Sequence, residues 1–340
     1  MTLSSPHAAV EIDGTVWDSW QHPGLFARVS VNLATDEASE GIWETFDPDL
    51  RMINKYSTAS GVPLVVVRIW LGFAQELGEP VFKGLLARVE RGEGKTLFRV
   101  YDMALKMRLI KKTGYHKGDD LKIIKKLVER HQPLKFSPPD KPIKLPPHRS
   151  MPQDEQTDWE HALERAREAG LLLYVRHDTV FARYPAKTAE KPMLTIAVRD
   201  QTMLRDLDLI FKVPENQDGA PKKVTVRGRG RGGKRLTGVS DESKRGNEPV
   251  SIKRDLPQHT KKYTNARAQA QKALDREHAF SASIRTIAPL PSARPDVGDT
   301  IELANVGLLF SGKYVADQVN HDLSPGRLIT SYELHRDVKE

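Results

Sequence analysis

The chain has 340 residues, 39% of them apolar and 29% charged, with a formal net charge of +8 and no cysteine. That length suggests two or three domains with sizeable cores, and the apolar content excludes a wholly disordered chain. The lack of cysteine excludes a disulfide framework, a thiolate nucleophile, an iron–sulfur cluster and any cysteine-ligated zinc.

In chain order, the first hundred residues read as β. Residues 10–12 lead into a turn at Asp13 and Gly14, and residues 25–33 alternate through Phe26, Arg28, Val29, Ser30 and Val31. Residues 62–71 are rich in β-branched side chains. Pro63 and Arg68 interrupt them, so this run falls well short of the roughly 18 residues of a membrane-spanning helix. Residues 81–89 and 96–101 follow, with glycines 72, 78, 84, 92 and 94 as punctuation. Short strands at this spacing predict a barrel or sandwich rather than β–α–β units. The N-terminus carries no basic-then-apolar leader, so neither a signal peptide nor a membrane anchor is expected.

The pattern then changes. Asp102 is placed to cap a short helix running to about residue 111. Asp119 and Asp120 open an amphipathic helix with Leu121, Ile124, Leu127 and Val128 on one face. Seven prolines between 131 and 153 predict an extended connector. Thr157-Asp-Trp-Glu160 is a capping box, and Trp159, Leu163 and Ala166 continue it at helical spacing until Gly170 ends the helix. Residues 171–175 and 179–184 form a hairpin through His177 and Asp178. Strands are expected at 194–198, 207–213 and 223–227, a helix over 266–279 capped by Asn265, and closing strands at 300–303, 308–319 and 328–336. The fold is therefore expected to be mainly β with α+β insertions. A first β domain spans 1–101 and an inserted α+β module 102–195. A second β domain comprises 196–235 and 284–340, interrupted by an inserted loop and helix over 236–283.

The positive charge is localised. Residues 101–150 carry 13 Lys and Arg against 5 Asp and Glu, and residues 221–262 carry 13 against 4. The first hundred residues carry 9 against 13, so the chain does not look like a uniformly basic nucleic-acid binder. The sharpest basic feature is Arg227-Gly-Arg229-Gly-Arg231-Gly-Gly-Lys234-Arg235. Alternating Arg and Gly can track a phosphate backbone, yet no aromatic for base stacking lies between Phe211 and Tyr263. The other reading is an exposed basic hairpin tip or interdomain loop.

Catalytic patterns are weak. Gly92-Glu-Gly94-Lys-Thr96 resembles the tail of a phosphate-binding loop, but Val89 stands where the first glycine belongs and a strand follows, so it reads as a hairpin turn. The eleven histidines are scattered without metal-ligand spacing, and His321 reads as a structural histidine. Glu155, Asp158, Glu160, Glu164 and Glu168 read as a helix-dipole partner followed by a solvated face. Asp206 and Asp208 share a face of one strand without further sign of a carboxylate pair. No Gly-x-Ser-x-Gly elbow is present. No cofactor, metal or catalytic residue is expected.

Two stretches carry a resemblance. The first is Gln156-Thr-Asp-Trp-Glu160-x-x-Leu163-x-x-Ala166-Arg-Glu168-x-Gly170 running into the apolar hairpin. The second is Ser311-Gly-Lys-Tyr-Val315-x-x-Gln-Val319-x-His321 followed by the strand Leu328-Ile-Thr-Ser-Tyr-Glu-Leu-His-Arg336. With the strand ending at Gly14, Val81-Phe-Lys-Gly84 and Tyr101-Asp102 in order, the chain resembles the late control D family, the baseplate hub proteins of contractile-tailed bacteriophages. The resemblance implies a non-enzymatic late protein of the virion, assembled in the bacterial host cytoplasm into the tail baseplate. It implies two tube-like β-barrel domains per chain in a homotrimer that joins a six-fold tail tube to a three-fold spike. Implied partners are the tail tube or tube initiator protein, the central spike protein and inner baseplate (wedge) proteins, with genomic DNA passing through the lumen without specific binding. Trp159, Leu163 and Ala166 are then core residues, and Tyr314 and Val319 belong to the last barrel. The last barrel strand ends close to residue 340, leaving no room for a fused lysozyme or needle domain. Arg227, Arg229, Arg231, Lys234 and Arg235 have no counterpart in the resemblance and form a candidate interaction loop. Two alternatives stay open: the hub or spike base of a related contractile injection or secretion machine, and a nucleic-acid-binding protein using the Arg/Gly run.

Overall fold

The computed structural model describes residues 5–56, 64–73, 78–140, 147–185, 189–197, 204–211, 224–229, 235–239, 251–256, 268, 280–287 and 294–336. β1 (Pro6–Ile12) and β2 (Thr15–Asp18) form a hairpin across Asp13 and Gly14, both at positive φ. β3 (Arg28–Ala34), β4 (Glu40–Phe46), the short helix α1 (Arg51–Tyr56), β5 (Val66–Phe73), β6 (Phe82–Gly92) and β7 (Lys95–Asp102) complete a first β unit. Successive strand residues point to opposite faces, and the apolar set of each strand turns inward. Val29, Val31, Trp43, Ile69, Leu71, Phe98 and Val100 pack there, with Trp43 stacked on Phe98 at 5.2 Å. Gly92–Gly94 is the turn between β6 and β7, as expected.

The inserted module contains α2 (Leu105–Arg108), β8 (Lys111–Gly118), α3 (Asp120–Glu129), β9 (Lys135–Ser137), β10 (His148–Thr157), α4 (Asp158–Glu168), β11 (Leu172–Arg176) and β12 (Thr179–Arg183). Asp119 caps α3, and α4 opens with the complete capping box of Thr157 and Glu160. The helix expected from Asp102 is only one turn long. Asp102 is buried and accepts hydrogen bonds from the Ser39 and Ala104 amides and from Arg108, so it ties the module to the first unit. The chain beyond Leu109 is the strand β8, paired with β10, which begins inside the proline-rich stretch read as a connector. Trp159 and Ala166 are buried, and Leu163 packs against the same core as Ile124, Leu127 and Val128.

The last part comprises β13 (Leu194–Ala197), β14 (Leu204–Phe211), β15 (Val224–Arg229), β16 (Arg235–Val239), β17 (Ser251–Leu256), β18 (Phe280–Ile287), β19 (Thr300–Ala304), β20 (Gly312–Ser324) and β21 (Arg327–Arg336). Tyr314, Val319 and Tyr332 lie in its apolar core. The helix expected over 266–279 lies outside the described residues, apart from Ala268, which is helical and buried.

One 13-stranded sheet runs through both β units in the order β14-β18-β21-β20-β3-β4-β7-β6-β5-β1-β2, with β19 and β13 attached beside β20. The seam is the long strand β20. Its residues 312–315 pair with β19; past an irregularity at residues 316–318 the same edge pairs with β3, from Gln318↔Ala34 to Leu323↔Val29. The tip of the β20–β21 hairpin therefore delivers Leu323 and Leu328 into the core of the first unit.

Candidate functional site

Because strand side chains alternate, the face of this sheet opposite the cores is continuous across the seam. One row across it reads Tyr101, Glu40, Asn32, Asn320, Ser331 and Arg285, from β7 to β18. The next reads Arg99, Ile42, Ser30, Asp322, Ile329 and Ile287. Charges on this face are compensated between strands. Lys95 reaches Glu44 at 2.6 Å, and Arg99 bonds Glu40 and approaches Glu90 at 3.6 Å. The hydrogen bond to Glu40 raises the Arg99 pKa. Arg28 pairs with Asp322 across the seam, where Gln318 also donates to Asn32 at 2.7 Å. Behind the seam His321 is fully buried and shares a 2.7 Å hydrogen bond with the Thr330 hydroxyl. Burial holds its pKa down at about 3, so it is a neutral structural histidine, as read from the sequence.

A second arrangement holds the three parts of the chain together. The β11–β12 turn places His177 at φ 50° between the β units. On one side of it Asp178 pairs with Lys83 of β6; on the other Arg176 pairs with Asp296 at 3.0 Å. Burial lowers the His177 pKa and raises that of Asp299. The cleft lined by Leu33, Phe82, Tyr174, His177 and Val297 encloses about 20 Å³. That volume suits a single water and is far below a ligand site. Among the described residues, no group of three or more His, Asp or Glu is arranged to hold a metal, and no helix is long and apolar enough to cross a membrane.

The carboxylates around α4 differ from expectation. Asp158 is buried and accepts from Lys112 at 2.7 Å, His131 at 2.7 Å and Gln153 at 3.1 Å. Burial works to raise its pKa, but these donors prevail and hold it at about 2. Glu164 and Glu168 bind the buried Arg165 instead of facing water alone. Asp206 and Asp208 do share a face, on the edge strand β14 opposite Arg285 and Ser283. Of the basic candidates, Arg227 and Arg229 lie on β15 and Arg235 on β16. The backbones of Arg229 and Arg235 pair as hairpin partners, in a three-stranded sheet apart from the large one. Arg231 and Lys234 lie outside the described residues. Sequence reasoning did not single out the paired charges Glu40, Glu44, Lys95 and Arg99, although their strict alternation with Trp43 and Phe98 was the available signal.

No curated protein matches the chain by sequence. A family model described as the Alg8 N-terminal domain matches residues 54–209, which is less than half of the chain and runs from inside α1 to inside β14. Solved structures match over nearly the whole length. The tail protein from Neisseria meningitidis MC58 shares 14% identity at a TM-score of 0.69, covering 98% of this chain and 97% of that one. The 43 kDa tail protein of prophage MuSo2 from Shewanella oneidensis shares 12% identity at 0.67, covering 98% of each. An Escherichia coli component of the type VI secretion system, described as structurally similar to bacteriophage T4 tail proteins, shares 9% identity at 0.62, covering 96% and 76%. The chain has the mainly β fold of these bacteriophage-type tail and secretion-system proteins.

Proposed function

We propose that the chain is a structural, non-enzymatic baseplate hub of a contractile tail: a homotrimer whose two β units per chain form a ring of six similar units. In this reading the ring joins a six-fold tube to a three-fold spike, with inner baseplate proteins around it and DNA passing through. Residues 1–101 and the pair 196–235 and 284–340 act as the two ring-forming units, and 102–195 and 236–283 are outer insertions. The observation that carries the reading is the sheet face shared by both units, on which Lys95, Arg99 and Arg28 are each paired with a carboxylate and so bind phosphate weakly. Its ends also suit ring closure. β14 is an edge, and β6 beyond Leu86 pairs with β7 and with no second strand among the described residues. In a ring, the β14 edge of one copy meets the far half of β6 of the next, a head-to-tail contact that closes on itself.

The cysteine-free chain allows a clean test. Single cysteines at Arg88, Glu90 or Gly92 are combined with one at Asp206, Asp208 or Ile210 and oxidised. Covalent trimers in denaturing gels, with a trimer in sedimentation, are expected; a wild-type monomer that is absent from purified tails, with double-cysteine variants that never cross-link, rejects the hub. The fold shared with the Escherichia coli secretion component favours a second reading, the hub of a related secretion machine, and the particle in which the protein is found decides between them. The Arg/Gly run makes a third, testable by filter binding. Affinity for DNA or RNA that collapses when Arg229, Arg231 and Arg235 become Ala would replace the structural reading with a nucleic-acid-binding one.

A further inference from the structure

On the core side of β20 and β21, a polar patch lies where the apolar cores of the two β units meet. His321 and Thr330 are register partners there, and Tyr332 stands two residues along β21 on the same face. All three are buried. Diagonal cross-strand neighbours such as His321 and Tyr332 are about 7–8 Å apart, within reach of aromatic side chains. Arg294 enters from the segment before β19. Hydrogen bonds from the Gly298 amide to the Ala316 carbonyl, and from the Ala316 amide to the Asp299 carbonyl, fasten that segment to β20. Its guanidinium donates to the carbonyl of Leu71 in β5, a core residue of the first unit. Burial raises the Tyr332 pKa, with Arg294 and the Thr330 hydroxyl opposing; burial and Arg294 both lower that of His321. Arg294 is thus the charge that both side chains feel.

Three polar atoms of this group are shut off from solvent without a hydrogen-bond partner: Arg294 Nε, His321 Nε2 and the Tyr332 hydroxyl. All three can donate at once. The Thr330 hydroxyl lies 2.7 Å from His321 Nδ1, and when it donates there the imidazole proton sits on Nε2. A guanidinium keeps its charge in a protein, and Arg294 has no ion pair with a carboxylate among the described residues. The acids of its own segment are engaged elsewhere: Asp296 pairs with Arg176 at 3.0 Å, and Asp299 accepts from the Asp296 amide at 2.8 Å. A buried charge without a counter-charge is costly, and each unpaired donor adds to the cost. Water brings hydrogens of its own and no charge, whereas an acceptor-only anion answers both needs. We infer that Arg294, His321 and Tyr332 form a binding site for a small monovalent anion of the halide class, chloride in ordinary solution, between the two β units. Its donors come from the segment before β19, from β20 and from β21, and Arg294 is tied to β5, so occupation is linked to the folded junction of the units. The site stands apart from the hub reading and does not depend on it.

The test melts the purified chain at constant ionic strength while sodium chloride, or sodium bromide, replaces sodium gluconate, whose anion is too large for a site closed to solvent. The wild-type melting temperature is expected to rise by about 3 °C or more with either halide, and Arg294→Met to abolish the rise. Tyr332→Phe removes one donor and keeps the ring, and is expected to need about tenfold more chloride for half the rise. Crystals grown with bromide are expected to show its anomalous scattering beside Arg294 Nε. Equal melting in halide and gluconate would assign the three donors to water. An undiminished rise in Arg294→Met would place the halide elsewhere, and a bromide signal absent from the patch would leave it without an ion. Each of these three results overturns the proposal alone. If Arg294→Met does not fold, Tyr332→Phe decides in its place, and an unchanged chloride requirement rejects the site.

Discussion

At the scale of single residues, the inserted module depends on charges placed out of water. Asp158 accepts from Lys112, His131 and Gln153 while buried, so removing its carboxylate strands those donors. Asp158→Ala is expected to destabilise the module by about 3 kcal/mol in chemical denaturation, the usual cost of breaking a buried ion pair from one side. A loss below about 1 kcal/mol would mean that water replaces the carboxylate. His161, next to this network and facing His116 at 5.1 Å, has its pKa lowered from 6.5 to about 4, chiefly by burial. The sign follows directly. Below pH 6.5 the unfolded chain takes up a proton that the native chain refuses, so stability is full above pH 6.5 and falls as pH drops toward 4. Between pH 7 and 5 the denaturation midpoint of wild type should fall more than that of His161→Gln; equal falls would assign the slope elsewhere, with His321 and His177 the next candidates. None of this was legible in sequence, because Asp158 and Glu160 are both acids in the first turn of one helix. One is a hub and the other a capping group, and what separates them is the β8–β10 ribbon brought over from residue 112.

Elements with a local signal were legible. The capping box of α4, the Asp119 cap of α3 and the alternation of β3 and β7 are written in adjacent residues, and the structure follows them. β4 and β8 were missed for a shared reason. Glu40-Gly-Ile-Trp-Glu-Thr-Phe46 and Lys111-Lys-Thr-Gly-Tyr-His-Lys-Gly118 expose one face carrying charges, so their mean character is that of a loop although their alternation is that of a strand. Gly84, within one stretch that carried the family resemblance, shows how close the β6–β7 pair is. A methyl there would collide with the Tyr101 carbonyl and lie 2.8 Å from the Phe82 ring. Backbone cannot yield as a side-chain end does, so Gly84→Ala should cost about 2–3 kcal/mol in urea unfolding. A cost below about 0.5 kcal/mol would show that the two strands part freely.

At the scale of the whole molecule, the seam joins residues nearly three hundred positions apart, such as Ser30 and Asn320, and no local pattern announces it. Its consequence is electrostatic. Arg99 and Lys95 face the same side as the seam residues, yet each is held by a carboxylate, Glu40 and Glu44. A phosphate can recruit such a cation only by displacing its partner, so on the proposed reading this face is expected to bind DNA weakly despite the +8 of the chain. Changing both partners, Glu40→Lys with Glu44→Lys, adds two cations and frees Lys95, while Arg99 keeps Glu90. Log affinity falls with log salt by about 0.9 for each phosphate neutralised, so three new contacts should steepen the slope by roughly 3. Wild type should retain little double-stranded DNA on a filter at physiological salt, while the double variant should bind it and release it steeply as salt rises. Wild-type binding as strong as the variant's would show that the pairing does not mask these cations, which would count against the proposed DNA channel on this face.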